Sequence, residues 1–441
     1  MRQILGWHCT EKNSVLGARL IDKTEQTQPE TRDRPWHVFV YRDYRVLWAA
    51  MVSGSLVTWF RILGTSQWLL DETGSPVVVG LIGVVQLVVQ IPALLWAGAL
   101  ADRVDRKRLM FLAHGTTALT LGALALLNAQ GLLNATGVFV GIAITAASQM
   151  LANPARSALV PAVVPSRQLL AASATDSASQ NVAAIVGPLL FAAISLSRGL
   201  TTAFAIAAAI ALVASALPLL IRAHGVATPG VPGGPRAAPR STLLDAWDGL
   251  RYVSRHPILP GLFLLDTGIT VASFYREILP VLALGLFAGG ASATGLLGAA
   301  NSAGAIAGSF VAALFAGYRA TGLLVLYASL AYGVLLFGFG LANTLWLGAL
   351  MIALLGAADS VTVAVRQTTV MLTTPDHMRG RAFSLMIVAA QTANNIGTIW
   401  VGAWAAWIGA ANTMLLGGVI SIIATIVIAR VWSPIREYRS P

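Results

Sequence analysis

The sequence predicts an all-α polytopic membrane protein, with about twelve transmembrane helices in two six-helix, pseudo-symmetric halves. Three observations carry this reading. First, 56% of the 441 residues are hydrophobic and only 11% are charged, against roughly 25% charged in a soluble domain. The chain lacks the polar surface to cover itself in water. Second, residues 109–155 and 382–429 contain no Asp, Glu, Lys or Arg. Each run would span roughly 70 Å as one helix, against a hydrocarbon core of about 30 Å, so each must cross twice. Third, almost all basic residues fall in loops on one side of the resulting crossings.

The elements follow in order. Residues 1–45 mix Glu11, Asp22, Glu25, Glu30 and Asp33 with basic residues and hold no apolar run of signal-peptide length; they read as a solvated tail. The N-terminal half, 46–222, crosses at 46–70, 77–101, 109–127, 136–155, 169–194 and 200–221. Asn128 to Gly131 and Asn134 mark its third reversal, because Gly and Asn permit tight turns. Residues 223–256 form a linker. Pro229, Pro232, Pro235 and Pro239 bar a continuous helix there, while Leu243, Leu244, Trp247, Leu250 and Tyr252 give 242–255 an amphipathic, interfacial face. The C-terminal half, 257–432, crosses at 258–287, 294–316, 321–341, 345–365, 382–408 and 413–428, with a reversal at Trp407 to Asn412. Residues 433–441 are a second tail.

An even number of crossings places both tails on one side. The basic segments 102–108, 156–167, 222–255, 366–381 and 430–439, with Arg319, share that side, and only Arg198 falls in a loop opposite. The positive-inside rule makes it cytoplasmic; the excess of Arg over Lys points to a GC-rich bacterial genome, and a bacterial inner membrane is the expected location. The net charge of +11 is thus an orientation signal that needs no nucleic-acid partner. Cys9 is the single cysteine, so no internal disulfide forms. No metal-ligand spacing, phosphate-cradling Gly-Lys-Ser/Thr loop or nucleophile–base pair stands out. Neither an enzyme nor a cofactor is expected.

The halves repeat at an offset of about 210: Arg156 and Pro165 recur as Arg366 and Pro375, and Gln149 falls opposite Asp359. Gly98-Ala-Leu-Ala-Asp102-Arg103-Val-Asp-Arg106-Lys107-Arg108, between the second and third crossings, resembles the cytoplasmic-loop motif of the major facilitator superfamily, which is built from parallel six-helix repeats. That resemblance implies a gating charge network on the cytoplasmic side with Asp102 and Arg103 at its core, Arg106 and Lys107 beside them, and Gly98 permitting close helix approach. Asp105 departs from the usual glycine. Tyr44-Arg-Val-Leu-Trp48, Leu244-Asp-Ala-Trp-Asp-Gly-Leu-Arg-Tyr252 with His256-Pro257, Val271 to Pro280, and Thr374 to Arg381 are similar to the enterobactin-exporter-like group of efflux proteins. Gly187-Pro188 resembles part of an antiporter motif, and equally reads as a kink.

Charges inside an apolar span cost roughly 2.5–3.5 kcal/mol each and need a reason. They are Arg61, Asp176, Asp266, Arg276, Glu277 and Asp359. Helix rise puts Asp266 about 12 Å into the seventh crossing from its cytoplasmic end, Arg276 and Glu277 at about 27 Å, and Arg61 about 22 Å along the first. Arg61, Gln149, Asp266, Arg276 and Asp359 are therefore the expected substrate cavity, with Arg61 facing Arg276 as a positive mouth for an anionic molecule. Asp266 and Asp359 are the first choices for proton coupling, because desolvated carboxylates exchange protons nearer neutrality; Asp176 and Glu277 are the others. The structural alternatives are snorkelling of Arg276, pairing of Glu277 with Arg276, a Thr362 contact for Asp359, and Asp176 as a cap.

The expected protein is a monomeric secondary active transporter in the lipid bilayer. It would export a small siderophore-like, drug-like or anionic organic substrate by alternating access, with protons as coupling ion. Two other readings stay open: a proton symporter importing a solute, and a membrane sensor or assembly partner that does not transport.

Overall fold

A computed structural model describes residues 35–222, 242–315 and 318–439, with the side chains of 35, 94–103, 242–247 and 376–377 excepted. The first tail up to residue 34 and the Pro-rich stretch 223–241 lie outside the described residues. So do the side chains of Gly98, Asp102 and Arg103 in the proposed gating motif.

The N-terminal half begins with α1 (Arg42–Thr73), α2 (Pro76–Arg103), α3 (Arg106–Ala129) and α4 (Ala135–Val163). The next helix, Leu169–Ala216, breaks at Gly199, whose φ of 78° and ψ of 173° reverse the chain; its arms are α5 (169–198) and α6 (200–216). After α7 (Thr242–Arg255), the C-terminal half comprises α8 (Leu259–Ser273), α9 (Leu279–Phe287), α10 (Ala291–Leu314), α11 (Thr321–Gly340), α12 (Leu345–Thr373), α13 (Asp376–Ile408) and α14 (Ala410–Val431), closed by α15 (Ser433–Glu437). Among the described residues, ten segments are long and apolar enough to span a membrane. One of them covers both α5 and α6, and α8 with α9 makes a single crossing. The polar Gln391, Asn394 and Asn395 make α13 less apolar, and it completes the twelve.

Local sequence explains many of the boundaries. The Asp105 carboxylate accepts from the Lys107 N–H at 2.8 Å and caps α3, while the Asn134 side chain caps α4 through the Gly137 N–H at 2.9 Å. Such caps satisfy backbone donors that a helix start leaves free. The expected reversals stand at Gly131 and Gly409, with φ of 69° and 83°.

Three boundaries differ from the expectation. The fourth and tenth crossings run on past Arg156 and Arg366 to Val163 and Thr373, since both arginines have acidic partners inside the bundle and need not end a helix. The seventh crossing is broken. Pro280 lacks an N–H and its ring crowds the carbonyl four residues earlier, so 274–278 leave the helix, with Phe274 extended at ψ 118°.

The core of each half is aliphatic and aromatic. Phe60 of α1 meets Phe191 of α5 edge to face at 6.1 Å, and Tyr44 donates to the Ala172 carbonyl at 3.0 Å. Trp68 is only 5% exposed; its N–H donates to Asn128, which in turn donates to Thr201, both at 2.7 Å. Trp346 and Trp407 lie exposed near helix ends, where aromatic side chains suit a membrane–water interface. The amphipathic α7 is fastened to the C-terminal half: Tyr252 donates to the Thr373 carbonyl at 3.2 Å and Arg381 pairs with Asp248 at 3.4 Å.

The two halves meet toward the face opposite the termini. Among the described residues three side-chain hydrogen bonds cross between them: Thr294 to Gln67 at 3.0 Å, Gln86 to Glu277 at 3.2 Å and Asn395 to Gln90 at 3.1 Å. The approach is close enough that a Cβ on Gly83 would collide with the Asn395 carbonyl, and one on Gly295 with the Pro188 carbonyl. Small residues at these crossings let the backbones touch.

Candidate functional site: a cavity shared by the two halves

Between that seam and the face carrying the termini lie two polar cavities, one in each half. The first, about 320 Å³, is walled by α1, α3, α4 and α5 and includes Thr58, Trp59, His114, Gln149, Asn153, Arg156, Gln180 and Asn181. The second, about 210 Å³, is walled by α8, the broken segment after it, α10, α11, α12 and α13, and includes Asp266, Tyr275, Arg276, Asn301, Tyr332, Asp359, Arg366 and Asn394. They adjoin where the Arg276 guanidinium lies over the Trp59 ring, 5.6 Å from its centroid, and close to Phe274 at 6.0 Å. A cation over an aromatic face is attracted by the ring quadrupole, so this contact ties the halves at the level of the cavity.

Of the residues singled out from sequence, Asp266, Arg276 and Asp359 come together in the second cavity and Gln149 lines the first. Gln149 donates to Asn153 at 3.3 Å and accepts from Thr58 at 3.4 Å. Asp266 forms an ion pair with Arg366, whose side chain is only 9% exposed. Asp359 has an accessible carboxylate, but the space it faces is the cavity. Thr362 donates to its backbone carbonyl at 2.7 Å and leaves the carboxylate free of that contact. Asp176 is not a cap: it pairs with Arg156 at 3.3 Å and accepts from Gln180 at 3.0 Å.

Arg61 and Arg276 do not form a shared positive mouth. Arg61 is buried at 8% exposure, with one guanidinium nitrogen lacking a hydrogen bond, and its electrostatic neighbour is Glu277. Glu277, 6% exposed, accepts from Gln86 of the other half, and its second carboxylate oxygen is unpartnered. The break before Pro280 sends the adjacent Arg276 and Glu277 in different directions, one into the cavity and one into the seam. Of the gating motif, Arg106 donates to the Ala158 carbonyl at 3.1 Å and Lys107 to the Ile221 carbonyl at 3.2 Å. Both tie helix ends together within the N-terminal half.

Sequence reasoning placed Arg156 and Arg366 outside the membrane and did not single out His114, yet all three line the cavities. The signal for the arginines was their shared offset of 210. Their partners break that repeat, because Asp176 stands on the fifth crossing of its half whereas Asp266 stands on the first crossing of the other. Tyr332 and Asn301 were legible only as polar residues inside apolar spans. In the structure Tyr332 shares a 3.1 Å hydrogen bond with Ser273, and Asn301 donates to Tyr275 at 2.5 Å.

Twelve crossings in two similar halves around a divided polar cavity define a membrane transporter. A profile of the transmembrane secretion effector family matches residues 34–440, and the chain belongs to that family, within the major facilitator superfamily. The enterobactin exporter EntS of Citrobacter koseri is 27% identical over 359 residues, covering 79% of this chain and 82% of that protein. EntS of Escherichia coli O81 is 28% identical over 357 residues, covering 78% and 81%. Among solved structures, a variant of the nucleoside transporter NupG aligns with a TM-score of 0.74 at 12% identity, covering 88% of this chain and 99% of that one. A bacterial homologue of the lysosomal transporter Spinster, captured facing inward, aligns at 0.66 with 15% identity, covering 90% and 99%. At such identities these structures share the fold with this chain.

Proposed function

We propose that the protein is a proton-coupled exporter of a small organic molecule, resident in the inner membrane with both termini in the cytoplasm. The observation that carries this reading is the joined cavity, with Asp266 and Asp359 in its C-terminal wall and four side-chain amides with His114 in its N-terminal wall. The similarity to enterobactin exporters supports outward transport. The excess of Arg and Lys near the termini supports that face as cytoplasmic, in which case the seam closes the outer side and the cavity faces inward.

The residues divide the work as follows. Trp59 and Arg276 hold an aromatic or anionic group of the substrate at the junction of the halves, through stacking and charge. Gln149, Asn153, Gln180 and Asn181 supply donors and acceptors to its polar edge. Asp359, which faces the cavity without a pairing cation in contact, loads and releases the proton. Asp266 does so only by giving up Arg366, so its protonation frees a guanidinium in the cavity wall. The halves 46–222 and 257–432 rock about the cavity, and opening the outer side breaks the Gln86–Glu277 bond and uncovers Arg61. A ligand moves that equilibrium only by binding one state better than the other.

The test is efflux from vesicles driven by a pH gradient. Asp359→Asn should abolish coupling while leaving protein abundance and substrate binding intact, and Asp266→Asn should impair both coupling and stability. Full gradient-driven transport by both variants refutes the assignment.

A further inference from the structure

The junction of the two halves is an aromatic clamp, and its occupant is a side chain of the protein itself. The Arg276 guanidinium lies 5.6 Å from the ring centroid of Trp59, in the N-terminal half, and 6.0 Å from that of Phe274, in its own half. Each ring is seated on a glycine of a neighbouring helix. A Cβ on Gly187 of α5 would stand 2.8 Å from the Trp59 Cβ, and one on Gly397 of α13 would stand 2.7 Å from the Phe274 Cβ. One glycine in each half therefore makes the room in which a ring lies. Arg276 stands at the break between α8 and α9, outside both helices, and its side chain is exposed to the cavity. The attraction of a guanidinium to an aromatic face is modest, so another flat group can take its place.

The displaced guanidinium has a carboxylate to go to. Asp359 lines the same cavity and is an electrostatic neighbour of Arg276, and among the described residues it has no ion pair. The other charged and titratable groups around it are Asp266 on α8, Tyr275 on the broken segment, Tyr332 on α11 and Arg366 on its own helix, while α10 and α13 bring the neutral Asn301 and Asn394. Asp266 and Arg366 satisfy each other, and the two tyrosines are engaged with Asn301 and Ser273. Arg276 is left as the cation that can answer a charge on Asp359. Resting on the reading that Asp359 carries the coupling proton, we infer that Arg276 links substrate to proton: a flat aromatic group of the substrate replaces it in the clamp, and the guanidinium moves to Asp359 and expels the proton.

In that step the O–H bond of the Asp359 carboxyl breaks, its electron pair stays on the carboxylate, and the proton passes to water in the cavity. The new carboxylate pairs with Arg276. Substrate and proton thus exclude each other without touching, as an exchange of one for the other across the membrane requires. The coupling is reciprocal: a proton arriving on Asp359 frees Arg276 to refill the clamp and eject the substrate.

The experiment is fluorine NMR of the full chain in detergent, labelled with fluorotryptophan, with the Trp59 signal assigned by its loss in Trp59→Phe. In the wild-type protein this signal should shift between mildly basic and mildly acidic pH. Asp359→Asn should hold it at its acidic position throughout, and Arg276→Gln should abolish the shift. Arg276→Lys should restore part of it, because an ammonium also sits over an aromatic face. Indole is the probe of the clamp, since it is flat and uncharged and expels no proton by its own field. At mildly acidic pH it should displace the Trp59 signal and release protons from the wild-type protein, as a pH dye records. Arg276→Gln should release none, yet bind indole about fivefold more tightly, the effect of roughly 1 kcal/mol of lost competition. Circular dichroism of each variant controls for folding. A Trp59 signal indifferent to pH overturns the proposal, as does a shift that persists in Asp359→Asn, proton release that persists in Arg276→Gln, or indole binding no tighter to Arg276→Gln than to the wild type. Efflux decides the exporter reading separately. Coupling lost in Asp359→Asn beside an unmoving Trp59 signal keeps the exporter and overturns the link through Arg276, whereas a moving signal without gradient-driven efflux supports the link and counts against the exporter alone.

Discussion

Removing the Asp266 charge should destabilise the protein through the cation it leaves behind. Arg366 is 9% exposed and its side chain pairs with Asp266, itself 20% exposed. At an effective dielectric constant near 20, opposite charges about 4 Å apart attract by about 4 kcal/mol, and deleting one partner of a buried pair typically costs about 3–5 kcal/mol. Asp266 retains some contact with the cavity, so the lower end applies and Asp266→Asn should cost about 3 kcal/mol. Arg366→Gln alone should cost less, because the carboxylate left behind faces the cavity and can protonate. The double variant should recover most of the loss, since two neutral polar groups replace an unpaired ion. The assay is a double-mutant cycle by mixed-micelle denaturation, with the Arg156–Asp176 pair as comparison; its side chains are 27% and 19% exposed and should show weaker coupling. A double variant whose loss equals the sum of the single losses would refute the reasoning, for the two groups would then be independent.

Further predictions test the seam and the rim on the face that carries the termini. Gly83→Ala puts a methyl group on the Asn395 carbonyl, and overpacking of this kind costs about 1–3 kcal/mol. That cost falls on the closed seam, so spin-label distances between Ser75 and Gly409 should lengthen, whereas Gly122→Ala, with 3.8 Å to the nearest atom, should leave them unchanged. His256 accepts from the Ile258 and Leu259 N–H groups at 3.2 and 3.3 Å, capping α8. Burial holds its pKa below the usual 6.5. The unfolded chain therefore binds the proton more readily, and stability should fall as pH drops below about 6.5. His256→Asn keeps a capping acceptor without the titration, so it should flatten the melting temperature between neutral and mildly acidic pH; an unchanged slope would exclude this histidine as the cause.

The absence of charge from long apolar runs, the turn chemistry at Gly131, Asn134 and Gly409, and the one-sided arginines made the helices and their pairing legible in the sequence, because each is a local consequence of moving a backbone and its charges from water to lipid. The same penalty on buried charge picked out Asp266, Arg276 and Asp359. It also misplaced Arg156 and Arg366, because the cost of a buried cation vanishes only when its partner is known, and Asp176 and Asp266 reach them from other helices. Tertiary structure decided that pairing, and it turned Arg276 into the cavity and Glu277 into the seam beside Arg61. These outcomes depend on the relative placement of segments far apart in the chain, which helix periodicity and hydropathy do not encode.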